Sequence, residues 1–101
     1  MKEIIPEKRY RASMICRALG NPTAYEVLTL LGEKKMTPDE LARSLGVSVA
    51  TVSQVLRVLR NLDRVKYEVN WRQRLYRVKS HVVQRVMQDL ERLVSHIVSE
   101  A

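Results

Sequence analysis

Apolar residues recur every three or four positions along most of this chain, which is the spacing of one face of an α-helix. The pattern predicts five helices, of which two lie within residues 37–62 and the others span residues 7–19, 22–34 and 81–99. Residues 64–79 instead alternate between apolar and polar around a loop at 70–73, which predicts a β-hairpin. Residues 1–6 are predicted to form a short arm. The predicted fold is mainly α with a small β-hairpin (α+β), in a single domain over residues 1–101.

Residues 36–63 carry the most specific local signals. Thr37 and Glu40 have the spacing of a capping box, which marks the start of a helix. Gly46 can end that short helix in a sharp turn, and Ser48 can cap the next one. Two helices joined by a short turn that contains Gly are typical of a DNA-binding helix-turn-helix, which we place at residues 37–62.

The charge of the chain favours a polyanionic partner. Lys and Arg number 18 against 11 Asp and Glu, and the formal net charge is +7 at pH 7. The excess is concentrated in residues 64–79, which hold six basic residues and one acidic residue, whereas residues 80–101 hold two basic and three acidic residues. Phe is absent, so the core is predicted to be aliphatic.

Several classes of function find no support in the residues. Cys16, beside Arg17, is either a small buried core residue, which is the commoner case, or a redox-sensitive thiol or a disulfide partner in a dimer. His81 and His96 are expected to be solvated or at a dimer face, so no metal or other cofactor is predicted. The chain has no acid/base cluster, phosphate loop or paired nucleophile and histidine, so an enzyme is not expected. No long apolar run and no signal-peptide pattern occur, which predicts a cytoplasmic protein without membrane contact.

Three segments resemble the ArsR/SmtB family of bacterial and archaeal transcriptional repressors. Residues 18–31, ALGNPTAYEVLTLL, are similar to the family's opening segment, with Tyr25 where Arg is usual. Residues 36–65 are similar to its helix-turn-helix, and residues 70–78 are similar to its wing. The resemblance implies a winged helix-turn-helix of five helices and a two-stranded wing, which binds DNA as a dimer.

The chain departs from the family at the family's metal sites. Many members sense metals through Cys-x-Cys in the first helix of the helix-turn-helix, where this chain has Thr37, Pro38 and Asp39. Others bind zinc between the last helices of two subunits through Asp-x-His and His-x-x-Glu, but two of those positions here are Lys79 and Ser99. The resemblance therefore does not imply metal sensing, and the sequence identifies no effector.

The second helix of the helix-turn-helix is predicted to enter the major groove with its N-terminal half leading. Hydroxyl groups can bond bases or phosphates, and the amide of Gln suits adenine. Arg57 and Arg60, further along the helix, are expected to contact phosphates. The alternative is that the polar residues of this helix form a solvated face. The predicted DNA-contacting residues of this helix are Ser48, Ala50, Thr51, Ser53, Gln54, Arg57 and Arg60.

The wing, residues 64–79, is predicted to lie along the neighbouring backbone or minor groove. Its basic side chains would neutralise phosphates, and ordinary surface charge is the alternative. Trp71 is expected to pack on the hairpin, although insertion beside a groove is a second interpretation. The predicted contacts of the wing are Lys66, Arg72, Arg74 and Arg77.

The last helix carries a wider apolar stripe than a small core needs, which favours burial against a second subunit. The terminal helices, 7–19 and 81–99, are therefore predicted to be the dimerisation elements. The second helix of the helix-turn-helix is called the reading helix below. Two copies of it about one helical turn (~34 Å) apart would fit a roughly palindromic operator. The predicted interface residues are Met14, Val83, Val86, Met87, Leu90, Leu93, Val94 and Ile97.

These features predict a sequence-specific regulator of transcription that binds double-stranded DNA as a homodimer and acts as a repressor. The alternative is an architectural protein that coats DNA through charge alone. The polar, rather than uniformly basic, residues of the reading helix favour the regulator. A third interpretation is a winged helix that contacts protein or RNA, because a fold does not dictate its partner.

Overall fold

The computed structural model describes residues 4–100, and its order of elements confirms the predicted fold class. The first three residues of the predicted arm lie outside the described residues. The described part consists of five helices and one two-stranded antiparallel sheet. The elements are α1 (Glu7–Leu19), α2 (Pro22–Leu31), α3 (Pro38–Leu45), α4 (Val49–Asn61), β1 (Val65–Asn70), β2 (Gln73–Val78) and α5 (Val82–Glu100).

The helix caps expected within the helix-turn-helix are present. The Thr37 hydroxyl accepts a bond from the Glu40 backbone N–H (3.2 Å), and the Glu40 carboxylate accepts one from the Thr37 N–H (2.9 Å). The bond from the Thr37 N–H favours the ionised carboxylate, so the pKa of Glu40 lies below its usual value. Gly46 takes the left-handed conformation (φ 69°), which residues with a Cβ rarely adopt, and it ends α3. The turn between the two helices therefore follows from local sequence chemistry.

Three elements differ in their bounds from the predictions. Helix α2 ends at Leu31 rather than at residue 34, because beyond Gly32 the Glu33 N–H bonds the Leu30 carbonyl oxygen (3.0 Å) in a turn instead of continuing the α-helical pattern. Helix α5 spans 82–100 rather than 81–99. Strand pairing extends to Asn70 and Gln73, so the hairpin turn has only two residues.

The core is aliphatic, as predicted, and α2 lies at its centre between the other helices. Helix α2 buries Val27, Leu28 and Leu31, and Tyr76 of β2 is the aromatic residue that joins the core. Burial of these side chains supplies most of the favourable free energy of folding. The largest side chains with less than 2% exposure are Leu28, Leu41, Leu56, Leu59, Val27 and Val52.

The N-terminal half of α5 is fastened to α2, whereas its C-terminal half projects into solvent. The Gln84 amide donates to the Leu28 carbonyl oxygen (2.9 Å), and the Tyr25 hydroxyl donates to a Glu91 carboxylate oxygen (2.7 Å). Burial of the hydroxyl and its bond to Glu91 raise the pKa of Tyr25 to about 12. The radius of gyration, 15.2 Å, exceeds the roughly 13 Å of a compact domain of this length. The projecting end of α5 and the hairpin account for this difference.

Candidate nucleic-acid interface

Helix α4 separates its residues into a buried apolar face and an exposed polar face. Val52, Val55, Leu56 and Leu59 are buried against the rest of the domain. Because these residues recur at helical spacing, the polar residues between them face solvent. The exposed set contains every residue predicted to read or grip DNA on this helix, namely Ser48, Ala50, Thr51, Ser53, Gln54, Arg57 and Arg60.

The N-terminal hydroxyls of α4 are partly committed to the helix itself. The Ser48 hydroxyl oxygen accepts a bond from the Thr51 backbone N–H (3.1 Å), and the two hydroxyl oxygens lie 2.9 Å apart. Within residues 4–100, no hydrogen bond engages the side-chain amide of Gln54. The Gln54 amide is therefore available for a bidentate contact with a base.

Three contacts fix the wing to the helix-turn-helix. Met36, just before α3, pairs with Tyr76 through two backbone bonds of 3.1 and 2.9 Å. At the base of the hairpin, the Lys79 ammonium lies 2.7 Å from the Asp63 carboxylate, which lowers the pKa of Asp63. The backbone pairing sets the position of the hairpin, because exposed ion pairs contribute little stability.

A second ion pair engages the single acidic residue of the wing. The Lys35 ammonium lies 3.0 Å from the Glu68 carboxylate and lowers the pKa of Glu68. Glu68 is the one carboxylate among residues 64–79. The electrostatic potential around the wing is therefore dominated by its basic residues.

Tyr67 connects the wing to the far end of α4. Its ring lies 4.9 Å from the Arg60 guanidinium carbon and 4.5 Å from the Arg74 guanidinium carbon. Both distances are within the range of cation–π attraction. The ring also packs against Tyr76, with centroids 5.1 Å apart. One aromatic side chain thus holds an arginine of the reading helix and an arginine of the wing.

The remaining basic residues of the wing differ in their exposure. Lys66, Arg72 and Arg74 are exposed. The proximity of the Tyr76 hydroxyl raises the pKa of Arg74. Arg77 is half-buried, with its guanidinium 3.5 Å from the Val78 carbonyl oxygen. Arg77 is therefore the least accessible of the four basic residues predicted to contact phosphates.

The expectation that Trp71 packs on the hairpin is wrong. Its side chain is 93% exposed and stands at the tip of the wing. The two-residue turn leaves the ring without a strand surface beneath it. The prediction placed the loop at residues 70–73, whereas the pairing of Asn70 with Gln73 leaves only Trp71 and Arg72 in the turn.

The structure divides the predicted dimer surface into two parts. Val83 and Met87 are 4% and 3% exposed in the single chain, because they pack into its own core. This burial corrects their assignment to the interface. Met14 is half-buried on α1. The predicted residues that α5 leaves exposed are Val86, Leu90, Leu93, Val94 and Ile97.

Cys16 is exposed on α1, so the expectation that it is a buried core residue is also wrong.

The ring nitrogen Nε2 of His81 lies 3.2 Å from the Gly32 carbonyl oxygen, and Nε2 of His96 lies 3.7 Å from a Glu100 carboxylate oxygen. Among residues 4–100, no three His, Cys, Asp or Glu side chains are grouped so as to hold a metal ion. None of the helices in this range combines the length and apolarity needed to cross a bilayer.

Sequence reasoning missed two residues of this surface. Val49 occupies the first helical position of α4 and is 43% exposed, where an apolar side chain can contact the methyl group of thymine. The sequence signal for Val49 was an apolar residue that directly follows the Ser48 cap and lies outside the buried apolar stripe of the helix. Tyr67 was assigned to a strand by alternation, but its contact with Arg60 depends on how the hairpin packs on α4.

The fold and this surface define a winged helix-turn-helix protein. The family model described as bacterial regulatory protein, arsR family, matches residues 21–67, from the cap of α2 into β1. The chain is an ArsR-like winged helix-turn-helix protein with the DNA-binding fold of transcriptional regulators, as its sequence motifs predicted.

Solved structures share this fold over most of their length. NolR from Sinorhizobium fredii is 25% identical, with a TM-score of 0.79 over 86% of this chain and 87% of that chain. HlyU from Vibrio cholerae is 24% identical, with a TM-score of 0.77 over 88% and 97% of the two chains. The homodimeric winged helix-turn-helix DNA-binding domain of Mb0332 from Mycobacterium bovis is 18% identical, with a TM-score of 0.82 over 94% and 88%. A comparison with curated proteins gives no match.

Proposed function

We propose that this protein is a sequence-specific regulator that binds double-stranded DNA as a homodimer and represses transcription. The observation that carries the proposal is the composition of the exposed face of α4. Its N-terminal half presents Thr51, Ser53 and Gln54, which can discriminate between bases, while arginines follow towards its C-terminal end. A surface built for charge neutralisation alone has no need of such a polar face.

In the proposed complex, α4 lies in the major groove and the wing lies on the flanking backbone. Gln54 bonds the N6 and N7 atoms of an adenine, while Arg57 and Arg60 meet phosphates. Lys66, Arg72 and Arg74 neutralise phosphates next to the groove. The anchoring of the hairpin at Tyr76 holds these charges beside the reading helix.

The homodimer is supported by the exposed apolar residues of α5 and by the homodimeric domain of Mb0332. In this proposal residues 1–101 form one winged domain, and its terminal helices hold two copies together. A repressor function follows if the bound dimer covers base pairs that the transcription machinery needs. Two reading helices spaced by about one turn (~34 Å) of duplex then read a palindrome.

Selection from random-sequence duplex DNA tests the proposal. We expect the recovered fragments to share a roughly palindromic motif, and a reporter gene placed behind that motif to fall in expression when the protein is present. Binding of duplexes without any common motif would identify an architectural protein instead. Reporter expression that rises on binding would leave the specific contact intact but contradict repression.

A further inference from the structure

Trp71 is the only tryptophan of the chain, and it is the most exposed large hydrophobic side chain among residues 4–100. The pairing of Asn70 with Gln73 makes it the first residue of a two-residue turn. At this position the indole projects from the end of the hairpin and contacts little of its own chain. Large apolar groups left in water are typical of binding surfaces.

The backbone of Trp71 is also unfavourable for the residue that occupies it. Its φ angle is 63°, in the left-handed region, where a bulky side chain is an outlier. Gly or Asn adopts this conformation at lower cost and is the common choice in such turns. The protein therefore carries an exposed indole on a strained backbone, at a position where a small residue would give a more stable turn.

The surroundings of Trp71 indicate a polyanionic partner. Arg72 follows it directly, and Arg74 and Lys66 are exposed on the two strands of the same hairpin. The only carboxylate of the wing, Glu68, is paired with Lys35. An acidic protein surface also attracts arginine, but the position of the wing beside α4 favours DNA.

We propose that Trp71 is a DNA-contacting residue whose indole enters the minor groove next to the major groove that α4 occupies. This inference rests on the proposed function and deepens it. The minor groove, ~6 Å wide, admits a ring edge-on, and its floor offers acceptor atoms on every base pair to the indole N–H. Apolar side chains that enter this groove act as wedges, and the neighbouring arginines neutralise the phosphates at its rim.

Because the chain has one tryptophan, its fluorescence reports on this residue alone. The experiment titrates the full-length protein with a mixed-sequence duplex at low ionic strength and measures quenching of the emission by acrylamide. We expect the bound duplex to shield Trp71 and to reduce quenching severalfold. Binding that is visible by gel shift but leaves quenching unchanged overturns the inference while the proposed function stands. If the protein binds no duplex, both this inference and the proposed function are wrong.

Trp71→Gly separates a binding role from a structural one, because the two roles predict opposite changes in the stability of the protein. If Trp71 contacts DNA, the variant binds the duplex about tenfold more weakly (about 1.4 kcal/mol). Its resistance to urea stays equal or rises, since Gly relieves the left-handed strain. The slope of affinity against salt concentration stays unchanged, since no charge is removed.

Trp71→Tyr is the matched control, since it keeps an aromatic ring on the same strained backbone. We expect it to retain most of the affinity that Trp71→Gly loses. Unchanged affinity in Trp71→Gly contradicts the inference. A loss of affinity that is accompanied by loss of stability contradicts it as well, because it assigns Trp71 to the fold of the turn.

Discussion

Gln54 and Arg72 represent two kinds of contact that single residues of this surface can make. The Gln54 amide is exposed on α4 and carries both a donor and an acceptor, which suits one base pair better than the others. The Arg72 guanidinium lies in the turn of the wing, where it can reach a phosphate, and phosphates are the same at every base pair. The two residues should therefore affect DNA binding in different ways.

We predict that Gln54→Ala changes which sequences are preferred, whereas Arg72→Ala weakens binding to all sequences. Loss of a bidentate contact removes about 1–3 kcal/mol of discrimination at one base pair in each half-site. Loss of a phosphate contact reduces the slope of log affinity against log salt by about 0.9 for each protomer. Selection from random DNA and salt titration of each variant measure the two effects.

Each of these variants is the control for the other. Gln54→Ala is expected to keep the salt slope of the original protein, and Arg72→Ala is expected to keep its motif. Identical motifs from the original protein and Gln54→Ala would remove Gln54 from the reading residues. An unchanged salt slope in Arg72→Ala would place Arg72 away from the phosphates.

Among the elements, α4 and the hairpin are connected through the side chain of Tyr67. Its ring lies against Arg60 of α4 and Arg74 of β2, so both guanidinium groups are held in place before DNA arrives. Ordering a long side chain on binding costs about 0.5–1.5 kcal/mol. Stacking on the ring lowers this cost by restricting the two arginines in the free protein.

We predict that Tyr67→Leu weakens DNA binding about three- to tenfold, because Arg60 and Arg74 lose the ring on which they stack. Titration of a labelled duplex by fluorescence anisotropy gives the affinities. Tyr67→Phe is the matched control, because it keeps the ring and removes only the hydroxyl. Equal affinities for the Leu and Phe variants would show that the stacks do not position these arginines.

In the whole molecule, the proposed dimer depends on the apolar face of α5. Its inner residues Val83 and Met87 belong to the core of the chain, while Leu90, Leu93 and Ile97 face solvent on an adjacent stripe. The bonds from Gln84 to α2 and from Tyr25 to Glu91 fix the direction in which this stripe points. In the proposed dimer a second copy covers this stripe, because an exposed apolar helix face of this spacing is typical of helix pairs.

We predict that the double variant Leu90→Asp, Leu93→Asp is monomeric and binds DNA weakly. Two carboxylates would have to be buried in the interface, and a single winged domain makes only half of the contacts. Sedimentation velocity gives the oligomeric state, and gel shift gives the affinity. The variant is expected to keep its helical content, since both side chains are exposed in the single chain.

The control for this prediction adds the same charges to the opposite face of the helix. Gln88 and Ser95 are exposed and lie about half a turn away from the apolar stripe. The double variant Gln88→Asp, Ser95→Asp should therefore remain dimeric. A dimer that survives Asp at Leu90 and Leu93 would move the interface away from α5.

Local signals in the sequence were sufficient for the elements of this fold and for the polar face of α4. The capping box at Thr37 and the turn at Gly46 involve residues a few positions apart, so their chemistry is readable without a structure. The helical spacing of Val52, Leu56 and Leu59 likewise assigned the remaining residues of α4 to its exposed face. Family motifs added the expectation of a wing, and the antiparallel hairpin of β1 and β2 confirms it.

The sequence by itself determined the order of the elements, the helix-turn-helix and the basic character of the wing, because each depends on spacing along the chain. Only the tertiary structure decided which apolar residues of α5 are buried in the core of the chain and which remain exposed. It also decided that Trp71 is exposed and that Tyr67 lies between two arginines. Those outcomes depend on how separate elements pack and on the length of one turn, and periodicity in a single chain carries no information about either.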